Sequence, residues 1–496
     1  MFIAGLCSIV YELLIASTVS YFEGDSVRYF SLTIGLYMAA MGIGSYLSKY
    51  VRRNLLERFV AIEVALGFFG GIAVPCLYLS YSFTGGFMVV YVVLTLAIGG
   101  LIGLEIPFLT RLLRDYQDLR VNIAHVLSLD YFGALLATLA FPFLLLPFLG
   151  TFRTGLVFGL INMLIAFVVI RGFPGHFGNL QRTAYIGVAT MATLTIVAVL
   201  SFSKTLLAAW DSSLYSGRII HAEQSRYQKI VLTKYKDDLR LFLDGNLQFS
   251  SSDEYRYHEV LVHAPVALAE QPPRHVLVLG AGDGLAVREL LKYPGIETIT
   301  LVDLDARILD LARDHPVLQR LNGASLTRDP RVRVIAGDAQ SFLERRDRLY
   351  DLVIADLPDP NNLDLTRLYS VSFYRLVLGS LAADGIFVTQ ATSPFFTRNA
   401  FWSIARTVNA AGFAEVVPFH VLVPSFGEWG FVAASRESLE TPGHLKTAET
   451  RFLKDRQLAA LFEFPPDMAE VEGTVNTLDR PTLLSLYLDG WRNWPR

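Results

Sequence analysis

The chain has 496 residues, enough for two or three domains, and its formal net charge of -3 gives no global attraction to nucleic acid. A mean hydropathy of +0.40 with 52% hydrophobic residues is too apolar for an ordinary soluble protein, and the excess lies in the first half. The two cysteines, Cys7 and Cys76, both lie in apolar segments, which predicts buried thiols and excludes a disulfide framework or a cysteine metal site.

The first two hundred residues predict an α-helical transmembrane bundle over 1–203. Seven apolar segments approach the length of a bilayer span, at 2–20, 29–48, 59–80, 86–110, 124–148, 152–170 and 183–203. Buried helices of a soluble protein are the alternative, but so many apolar segments in succession favour a membrane bundle. We therefore expect a multi-pass protein of the cell (inner) membrane, with the lipid bilayer as a partner.

The charges of the connecting loops predict an orientation. Lys and Arg concentrate in the connections at 49–58, 111–120 and 171–182, whereas those at 21–28 and 81–85 are poor in both. By the positive-inside rule the basic loops and the N-terminus are cytoplasmic. Seven full spans from that start would place the second half outside, away from its expected metabolites. We favour a cytoplasmic second half and one apolar segment that is not a simple span; the alternative is a second half across the membrane.

Four acidic residues lie inside the apolar segments, namely Glu12, Glu63, Glu105 and Asp130. An ionisable group at membrane depth is costly and suggests a pathway or a ligand site. The alternative is that each acid is protonated, or pairs with a neighbouring helix or an interfacial arginine. The four are candidates for handling a cation such as a polyamine.

A small antiparallel β domain is predicted over 213–265, after a short linker near 204–213. Apolar and polar residues alternate there, and Asp244-Gly245-Asn246 supplies a hairpin turn. The run SSDEYRYHE then opens a helix, with Ser251, Ser252 or Asp253 as its N-cap.

Strands and helices alternate over 266–440, which predicts a Rossmann-like α/β domain; dinucleotide-binding and S-adenosylmethionine-methyltransferase-like folds both fit this pattern, and Asp338, described below, favours the second. The strand candidates are 276–280, 298–305, 332–337, 350–356, 385–391, 414–423 and 429–435. The last two form a closing hairpin, and the rest predict a mostly parallel, doubly wound sheet. The tail at 441–496 is polar and partly helical, with no predicted chemistry.

Glycines and acids follow successive strands of this domain. Gly280 and Gly282, in GAGDG, permit a tight turn and close approach of the backbone to a nucleotide. Asp303, about twenty residues later, can bind both ribose hydroxyls. Asp338 can accept a hydrogen bond from an adenine amino group. Each acid could instead cap a helix. Together with the acid of the GAGDG loop, however, they make three acids at successive strand ends, which disfavours that explanation for the set.

Asp283 distinguishes between possible nucleoside ligands. A methyltransferase must hold the carboxylate of S-adenosylmethionine near the GAGDG loop, and an acid there would repel it. A ligand that lacks this carboxylate and ends in an ammonium would instead be attracted. That ligand is decarboxylated S-adenosylmethionine.

Asp356 and Asp359, in DLPDP, follow the fourth strand. An amine is a nucleophile only when deprotonated, so attack on a sulfonium-activated carbon needs a general base beside it. A second acid can hold the distal ammonium of a diamine. Direct displacement at carbon requires neither a metal nor a prosthetic group. The alternative is a pair of loop acids with no substrate.

These motifs resemble those of the spermidine synthase family of polyamine aminopropyltransferases, in particular its membrane-fused bacterial members. The resemblance covers about 213–435 through YQKI, DGNLQ, DEYRYHE, LGAGDG, VDLD, GDA, DLPDP, LYSVSFY and PSFGEWGF. The N-terminal GLCSIVYELL, LEIP and DYFGALLATLAFPFLLLP look like the fused membrane module.

The resemblance implies a role for each candidate residue. The nucleoside part of the aminopropyl donor would contact Gln228, Asp303, Asp338 and Ala339. The acceptor-amine pocket would contain Tyr257, His258 and Asp359. Asp283 would meet the amine of the donor, and Asp356 would be the proton acceptor. The family also implies a homo-oligomer, either a dimer or a tetramer.

The chain departs from the family pattern on the amine side. Leu357-Pro358 stands where the family usually has a Ser or Thr pair, and Asn362-Leu363 where Gly-Pro often follows. Thr392 stands in place of a glutamate that grips the amine, and Phe426 in place of a tyrosine before the closing strand. The resemblance therefore predicts the class of donor more directly than the acceptor.

Three functions follow from these observations. The first is a membrane-bound aminopropyltransferase that moves the propylamine group of decarboxylated S-adenosylmethionine to a diamine, with putrescine as the expected acceptor. The products would be spermidine and methylthioadenosine. The second is a polyamine transporter or sensor whose second half binds nucleoside or polyamine without turnover. The third is a methyltransferase with another acceptor, which Asp283 disfavours.

Overall fold

The computed structural model describes residues 1–23, 26–83, 86–114, 118–345, 347–439, 444–447, 449–492 and 494. The chain divides into two compact units, one ending at Leu214 and the other beginning at Tyr215. The first unit is helical, and the second contains both β-sheets.

The described part of the first unit contains long helices joined by short connections. They are α1 Phe2–Glu23, α2 Ser26–Leu47, α3 Leu55–Phe83, α4 Phe87–Leu112, α5 Leu119–Ala140, α6 Leu146–Gly172, α7 Asn179–Ser201 and α8 Ser203–Leu214. A π-helical turn, Phe141–Leu145, joins α5 to α6.

Six continuous stretches of helix among the described residues are long and apolar enough to cross a membrane. One of them, Arg120–Gly172, has 53 residues, and a straight helix of that length would exceed the bilayer core more than twofold, at about 1.5 Å per residue. The π-helical turn and the non-helical backbone of Gly150 (φ 71°, ψ 173°) interrupt this stretch. The predicted segments 124–148 and 152–170 lie on the two sides of Gly150 and belong to this one stretch. The seven predicted segments therefore fall on six continuous stretches.

Glycines set the spacing of the helices in this unit. A Cβ on Gly103 of α4 would lie 2.1 Å from the carbonyl oxygen of Met41 in α2. Between α3 and α6, a Cβ on Gly67 would lie 2.8 Å from the carbonyl oxygen of Gly159. Small residues at these contacts let the backbones approach closely, as in packed membrane helices.

The second unit opens with a four-stranded antiparallel sheet, in the order β1-β2-β3-β4. Its strands are β1 Arg218–Gln224, β2 Lys229–Tyr235, β3 Asp238–Leu243 and β4 Asn246–Ser250. Asp244 and Gly245 have φ angles of 48° and 82° and connect β3 to β4, which is the geometry of a two-residue hairpin turn. The predicted small β domain and its turn are both present. Helix α9, Glu254–Leu268, follows.

A seven-stranded sheet forms the rest of the second unit. Its strands are β5 His275–Gly280, β6 Thr298–Asp303, β7 Val332–Ala336, β8 Tyr350–Asp356, β9 Leu381–Gln390, β10 Glu415–Val423 and β11 Gly427–Ser435. The order is β10-β11-β9-β8-β5-β6-β7, with β5 to β9 parallel and the β10–β11 hairpin antiparallel. The predicted doubly wound sheet and closing hairpin are therefore correct.

Helices cover this sheet and connect its strands. They are α10 Leu285–Leu290, α11 Ala306–Asp314, α12 Pro316–Leu321, α13 Ala339–Arg345, α14 Leu363–Thr366, α15 Val371–Ser380, α16 Arg398–Ala410, α17 Asp455–Ala460 and α18 Thr482–Trp491. The central strands are continuous apolar runs because both of their faces are covered; all four residues of 276–279 are fully buried.

The strand order reverses between β5 and β8. The chain runs from β5 outward to β6 and β7, and then returns to place β8 and β9 on the other side of β5. In open α/β sheets the crevice at such a reversal, at the carboxyl ends of the strands, is where ligands bind. Gly280 and Asp356 are register partners at this point.

The C-terminal tail is less polar than predicted. Leu483 and Leu488 of α18 are buried in the core of the domain, against residues of α16. Asn476 is buried as well, and its side-chain amide donates to the carbonyl oxygens of Thr366 and Tyr369 at 3.0 Å each. The predicted boundary between 440 and 441 lies outside the described residues.

Candidate active site

The GAGDG loop joins β5 to α10 and packs against two neighbouring strand ends. Gly280 has a φ of 81°, and a Cβ there would lie 2.0 Å from the carbonyl oxygen of Asp356. A Cβ on Gly282 would lie 2.6 Å from Oδ2 of Asp303. Both positions thus require glycine for the loop to close against β6 and β8. The sequence had predicted a tight turn and approach to a nucleotide, but not these contacts with Asp303 and Asp356.

Asp303, at the end of β6, is held by two backbone amides. Its Oδ2 accepts from the amide of Gly282 at 3.1 Å, and its Oδ1 accepts from the amide of Asp305 at 2.9 Å. Burial raises the pKa of Asp303 to about 6, although both hydrogen bonds oppose this rise.

Asp283 lies at the tip of the loop, and its Oδ1 accepts from the amide of Leu285 at 2.9 Å. Burial raises the pKa of Asp283, and the positive charge of His258 opposes that rise. The loop carboxylate and the imidazole therefore belong to one electrostatic cluster.

Gln228 hydrogen-bonds with Asp305, which was not among the predicted site residues, and not with Asp303 itself. Its side-chain amide donates to Oδ2 of Asp305 at 3.1 Å, and the hydroxyl of Ser225 donates to the same oxygen at 2.6 Å. Asp305 is buried and caps α11 by accepting from the amide of Arg307. The second acid of VDLD was the available signal for it.

Asp338 has local partners for both carboxylate oxygens. Oδ1 accepts from the amide and the hydroxyl of Ser341, at 2.9 Å each, and Oδ2 pairs with Arg367 at 2.7 Å. Burial would raise the pKa of Asp338, but Ser341 and Arg367 hold it below its usual range. Its observed contacts are those of the helix-capping alternative, and contact with an adenine stays a prediction. Ala339 is buried and is the first residue of α13.

Asp356, at the end of β8, accepts a hydrogen bond of 2.5 Å from the hydroxyl of Tyr257. Burial raises the pKa of Asp356 to about 6, opposed by the charge of His258 and the hydrogen bond from Tyr257. The carboxylate is therefore a stronger base than a free aspartate and is still mostly ionised at neutral pH.

His258 is a buried cation. Its Nδ1 lies 2.9 Å from Oε2 of Glu254, whose carboxylate also receives two hydrogen bonds, of 2.8 and 2.9 Å, from Arg288. Burial alone would lower the pKa of His258, but Glu254 raises it to about 9. The pKa of Glu254, which burial would raise, falls to about 2 because of His258 and Arg288. The sequence analysis missed Glu254, although its i,i+4 spacing from His258 was visible.

Asp359 is held by side chains from two distant parts of the chain. Tyr487 donates to its Oδ2 at 3.0 Å, and Gln390 donates to its Oδ1 at 3.3 Å. The same Gln390 amide donates to the carbonyl oxygen of Leu357 at 2.7 Å and contacts the hydroxyl of Tyr369. Burial raises the pKa of Asp359 to about 6, against the hydrogen bonds from Tyr487 and Gln390.

Tyr487 adds a contact from the C-terminal tail. It belongs to α18, in the tail for which no chemistry was predicted, and it follows Asp359 by 128 residues. The tail was predicted to be polar and partly helical with no chemistry, and the structure adds this hydrogen bond to a predicted site residue. No motif around Tyr487 marks it in the sequence.

The residues at which the amine side differs from the family pattern have the following contacts in the structure. Thr392 is fully buried with a φ of 58°, and its hydroxyl lies 3.1 Å from that of Thr397. The carbonyl oxygens of Leu357 and Pro358 accept from Tyr369 at 3.2 and 2.9 Å. Position 392 therefore contributes no carboxylate to the site.

Known proteins are similar to this chain along almost its entire length. The model of the spermine/spermidine synthase domain matches residues 254–442. A polyamine aminopropyltransferase from Leptospira interrogans is 42% identical over 491 residues, which covers 99% of this chain and 97% of that protein. One from Oceanobacillus iheyensis is 40% identical over 499 residues, covering 99% and 96%. The chain belongs to the polyamine aminopropyltransferase family.

Family membership confirms the predicted aminopropyltransferase and sets aside the non-catalytic and methyltransferase alternatives. The predicted co-substrate, decarboxylated S-adenosylmethionine, is the one that spermidine synthases use. Among solved structures, that of a spermidine synthase from Thermotoga maritima is similar to this chain, with 25% sequence identity and a TM-score of 0.46. That similarity covers 50% of this chain and 85% of the other.

Proposed function

We propose that this chain is a membrane-bound aminopropyltransferase that uses decarboxylated S-adenosylmethionine to convert a diamine, with putrescine as the expected acceptor, into spermidine. The observation that carries the proposal is the pair of half-buried carboxylates, Asp356 and Asp359, at the sheet reversal beside the acid of the GAGDG loop. We call Asp283 and Asp303 the donor edge of the site, and Asp356 and Asp359 its acceptor edge.

In the proposed reaction, the amine nitrogen of the acceptor attacks the methylene carbon bound to the sulfonium of the donor. A C–N bond forms as the C–S bond breaks, and the bonding pair neutralises the sulfur, which leaves as methylthioadenosine. The proton lost by the nitrogen passes to Asp356. The charge of His258 keeps Asp356 ionised enough to accept it, and Tyr257 orients the carboxylate.

Asp359 would bind the distal ammonium of the acceptor. Gln390 and Tyr487 each use one of its oxygens, and a carboxylate has about four lone-pair sites, so acceptor capacity remains for an ammonium. Tyr487 would thus position the residue that selects the acceptor.

On the donor edge, Asp283 would attract the ammonium of the donor, and Asp303 would bind its ribose. Gln228 would act through Asp305. Asp338 and Ala339 would stand beside the adenine, with Asp338 free to do so only if the ligand replaces Arg367 or shares the carboxylate with it.

The proposed location is the cell membrane, with several crossings and the catalytic domain in the cytoplasm; the family resemblance adds a dimer or tetramer to the proposal. The six apolar stretches, an even number of crossings, and the basic connections at 49–58 and 111–120 support a cytoplasmic catalytic domain, whereas the charges at 171–182 oppose it. Activity reporters fused to the C-terminus, one active only in the cytoplasm and one only outside it, would test the orientation. Activity of the external reporter alone would contradict it.

The catalytic proposal is tested with purified full-length protein, both nucleoside donors and a series of diamines and polyamines. We expect spermidine and methylthioadenosine from putrescine and decarboxylated S-adenosylmethionine, and no transfer from intact S-adenosylmethionine. Absence of product with every acceptor, from protein that binds the nucleoside, would overturn the proposal.

A further inference from the structure

The interior of the helical unit contains carboxylate oxygens without partners. Some other buried polar groups there have partners; for example, Tyr37 donates to the carbonyl oxygen of Ser8 at 2.9 Å. Glu63 of α3 and Glu105 of α4 are only 0% and 2% exposed. Both oxygens of Glu63 and one of Glu105 have no hydrogen-bond partner among the described residues.

Two neutral side chains with the same deficiency surround this acid pair. The hydroxyl of Tyr11 in α1 is buried, has no partner among the described residues, and interacts electrostatically with both acids. Oδ1 of Asn162 in α6 is likewise buried and without a partner in the described part of the chain. Asn162 lies against Gly67, one helical turn from Glu63: a Cβ on Gly67 would be 3.2 Å from the Cβ of Asn162.

The pair is selected from four candidates. Asp130 of α5 lies at the contact with α1, where its Oδ1 would be 2.6 Å from a Cβ on Gly5. Neither Asp130 nor Glu12 has a fully buried oxygen without a partner among the described residues. Glu63 and Glu105 differ because their side chains lie within interaction distance of each other, and no side chain other than this partner acid donates to the oxygens named above.

The chemistry of these atoms indicates which class of ligand they would bind. The carboxylate and amide oxygens accept hydrogen bonds, and leaving several acceptors buried without a donor is costly. A primary ammonium supplies three donors and a positive charge, and an aromatic ring such as that of Tyr11 is a favourable neighbour for it. The amino group of Met1 interacts electrostatically with both acids but bonds none of these oxygens.

A divalent metal ion fits this set less well. Such ions take six or more oxygen ligands or a dedicated cluster of ionised side chains. Among the described residues, no group of three or more His, Cys, Asp or Glu is arranged to hold a metal. Two carboxylates with a phenol and an amide match an amine better.

We propose that Glu63 and Glu105 form a binding site for a primary ammonium group inside the helical unit, completed by Tyr11 and Asn162. The site is separate from the amine pocket of the catalytic domain, and its existence does not rest on the proposed transfer reaction. The ligand class is an aliphatic amine cation, of which diamines and polyamines are members.

The test uses the full chain in lipid nanodiscs, carrying Asp356→Asn and Asp359→Asn so that the catalytic amine pocket is silenced. Binding of labelled putrescine is then measured directly. We expect saturable binding that weakens at least tenfold with Glu63→Gln and with Glu105→Gln. Glu57→Gln, an acid on the same helix α3, is the matched control and should leave the affinity unchanged. Binding that neither Gln variant alters, or no saturable binding at all, would overturn the site.

A second measurement needs no substitution. A hydrophobic carbodiimide modifies buried carboxyl groups in the native chain, and peptide mass spectrometry locates the modified residues. Putrescine should protect Glu63 and Glu105 from modification at least fivefold, whereas Mg²⁺ alone should not. Protection by Mg²⁺ without protection by the amine would overturn the ligand class. Failure of aminopropyl transfer with this protection intact would refute the catalytic proposal and leave the site standing.

Discussion

The donor edge, Asp283 and Asp303, and the acceptor edge, Asp356 and Asp359, hold their carboxylates with different kinds of partner. Asp283 accepts from the amide of Leu285 and Asp303 from that of Asp305, each only two residues away. These partners are backbone groups of the local turns; the second amide that Asp303 accepts from, that of Gly282, lies 21 residues away in the GAGDG motif.

On the acceptor edge the partners are side chains from remote segments. Tyr257 reaches Asp356 across 99 residues, and Gln390 and Tyr487 reach Asp359 across 31 and 128. Three separate elements must therefore pack correctly before this edge exists. The contacts of the donor edge involve residues of short sequence motifs, so they can be predicted from the sequence. The contacts of the acceptor edge depend on packing between distant segments. Substitutions in those segments can change the partners of Asp356 and Asp359 without changing the two acids.

The largest expected effect is on the acceptor edge, at the reacting nitrogen. Asp356→Asn removes the proton acceptor, and we expect kcat to fall about 10²- to 10⁴-fold, the usual contribution of a general base. Donor affinity should change less than threefold. Steady-state kinetics and donor titration measure the two effects. Asp364→Asn, at an exposed acid of α14, is the control; retention of more than a tenth of the wild-type kcat by Asp356→Asn would remove Asp356 from the mechanism.

The next largest effect concerns donor binding and should involve only the donor edge. Asp283→Asn removes the charge that attracts the donor's ammonium, and we expect its KM to rise about tenfold, equivalent to about 1.4 kcal/mol. Discrimination against intact S-adenosylmethionine should shrink, because the carboxylate of that nucleoside is no longer repelled. Competition binding of the two nucleosides measures the ratio. An unchanged ratio would show that another residue selects the donor.

A smaller effect should separate the two edges through the C-terminal helix. Tyr487→Phe deletes one hydrogen bond to Asp359, worth about 1 kcal/mol, and the acceptor KM should rise about fivefold. The donor KM should stay constant, because the deleted hydrogen bond goes to Asp359 on the acceptor edge. Tyr235→Phe, at an exposed tyrosine of β2, provides the comparison. Equal changes in both KM values would mean that Tyr487 only stabilises the fold.

The smallest effect concerns pH. Burial raises the pKa of Asp356 to about 6, and its ionised form is the active one, so kcat/KM for the acceptor should fall as the pH drops through about 6. Other buried acids with a pKa of about 6, Asp303 and Asp359, contribute to the same limb. The charge of His258 lowers the pKa of Asp356, so His258→Gln should move this limb to higher pH. A limb that moves to lower pH in the pH–rate profile would contradict the assigned electrostatics.

Much of the architecture could be predicted, because it follows from local pattern. The strand predicted at 350–356 has those bounds in the structure, and the predicted closing hairpin is β10–β11. Buried parallel strands are continuous apolar runs, and turn residues punctuate them. The extra length of the interrupted helix Arg120–Gly172 was not predicted, since apolar composition does not reveal whether two segments share one helix.

The sequence by itself determined the Rossmann-like sheet, the glycine loop and the acids at the strand ends, because each depends on residues close together in the chain. Only the tertiary structure decided which side chains hold those acids: Tyr487 and Gln390 at Asp359, and Glu254 and Arg288 around His258. It also separated Glu63 and Glu105 from the other acids of the helical unit. The physical reason is that burial and hydrogen-bond partnership depend on packing between segments that are distant in sequence, and no local pattern encodes that packing.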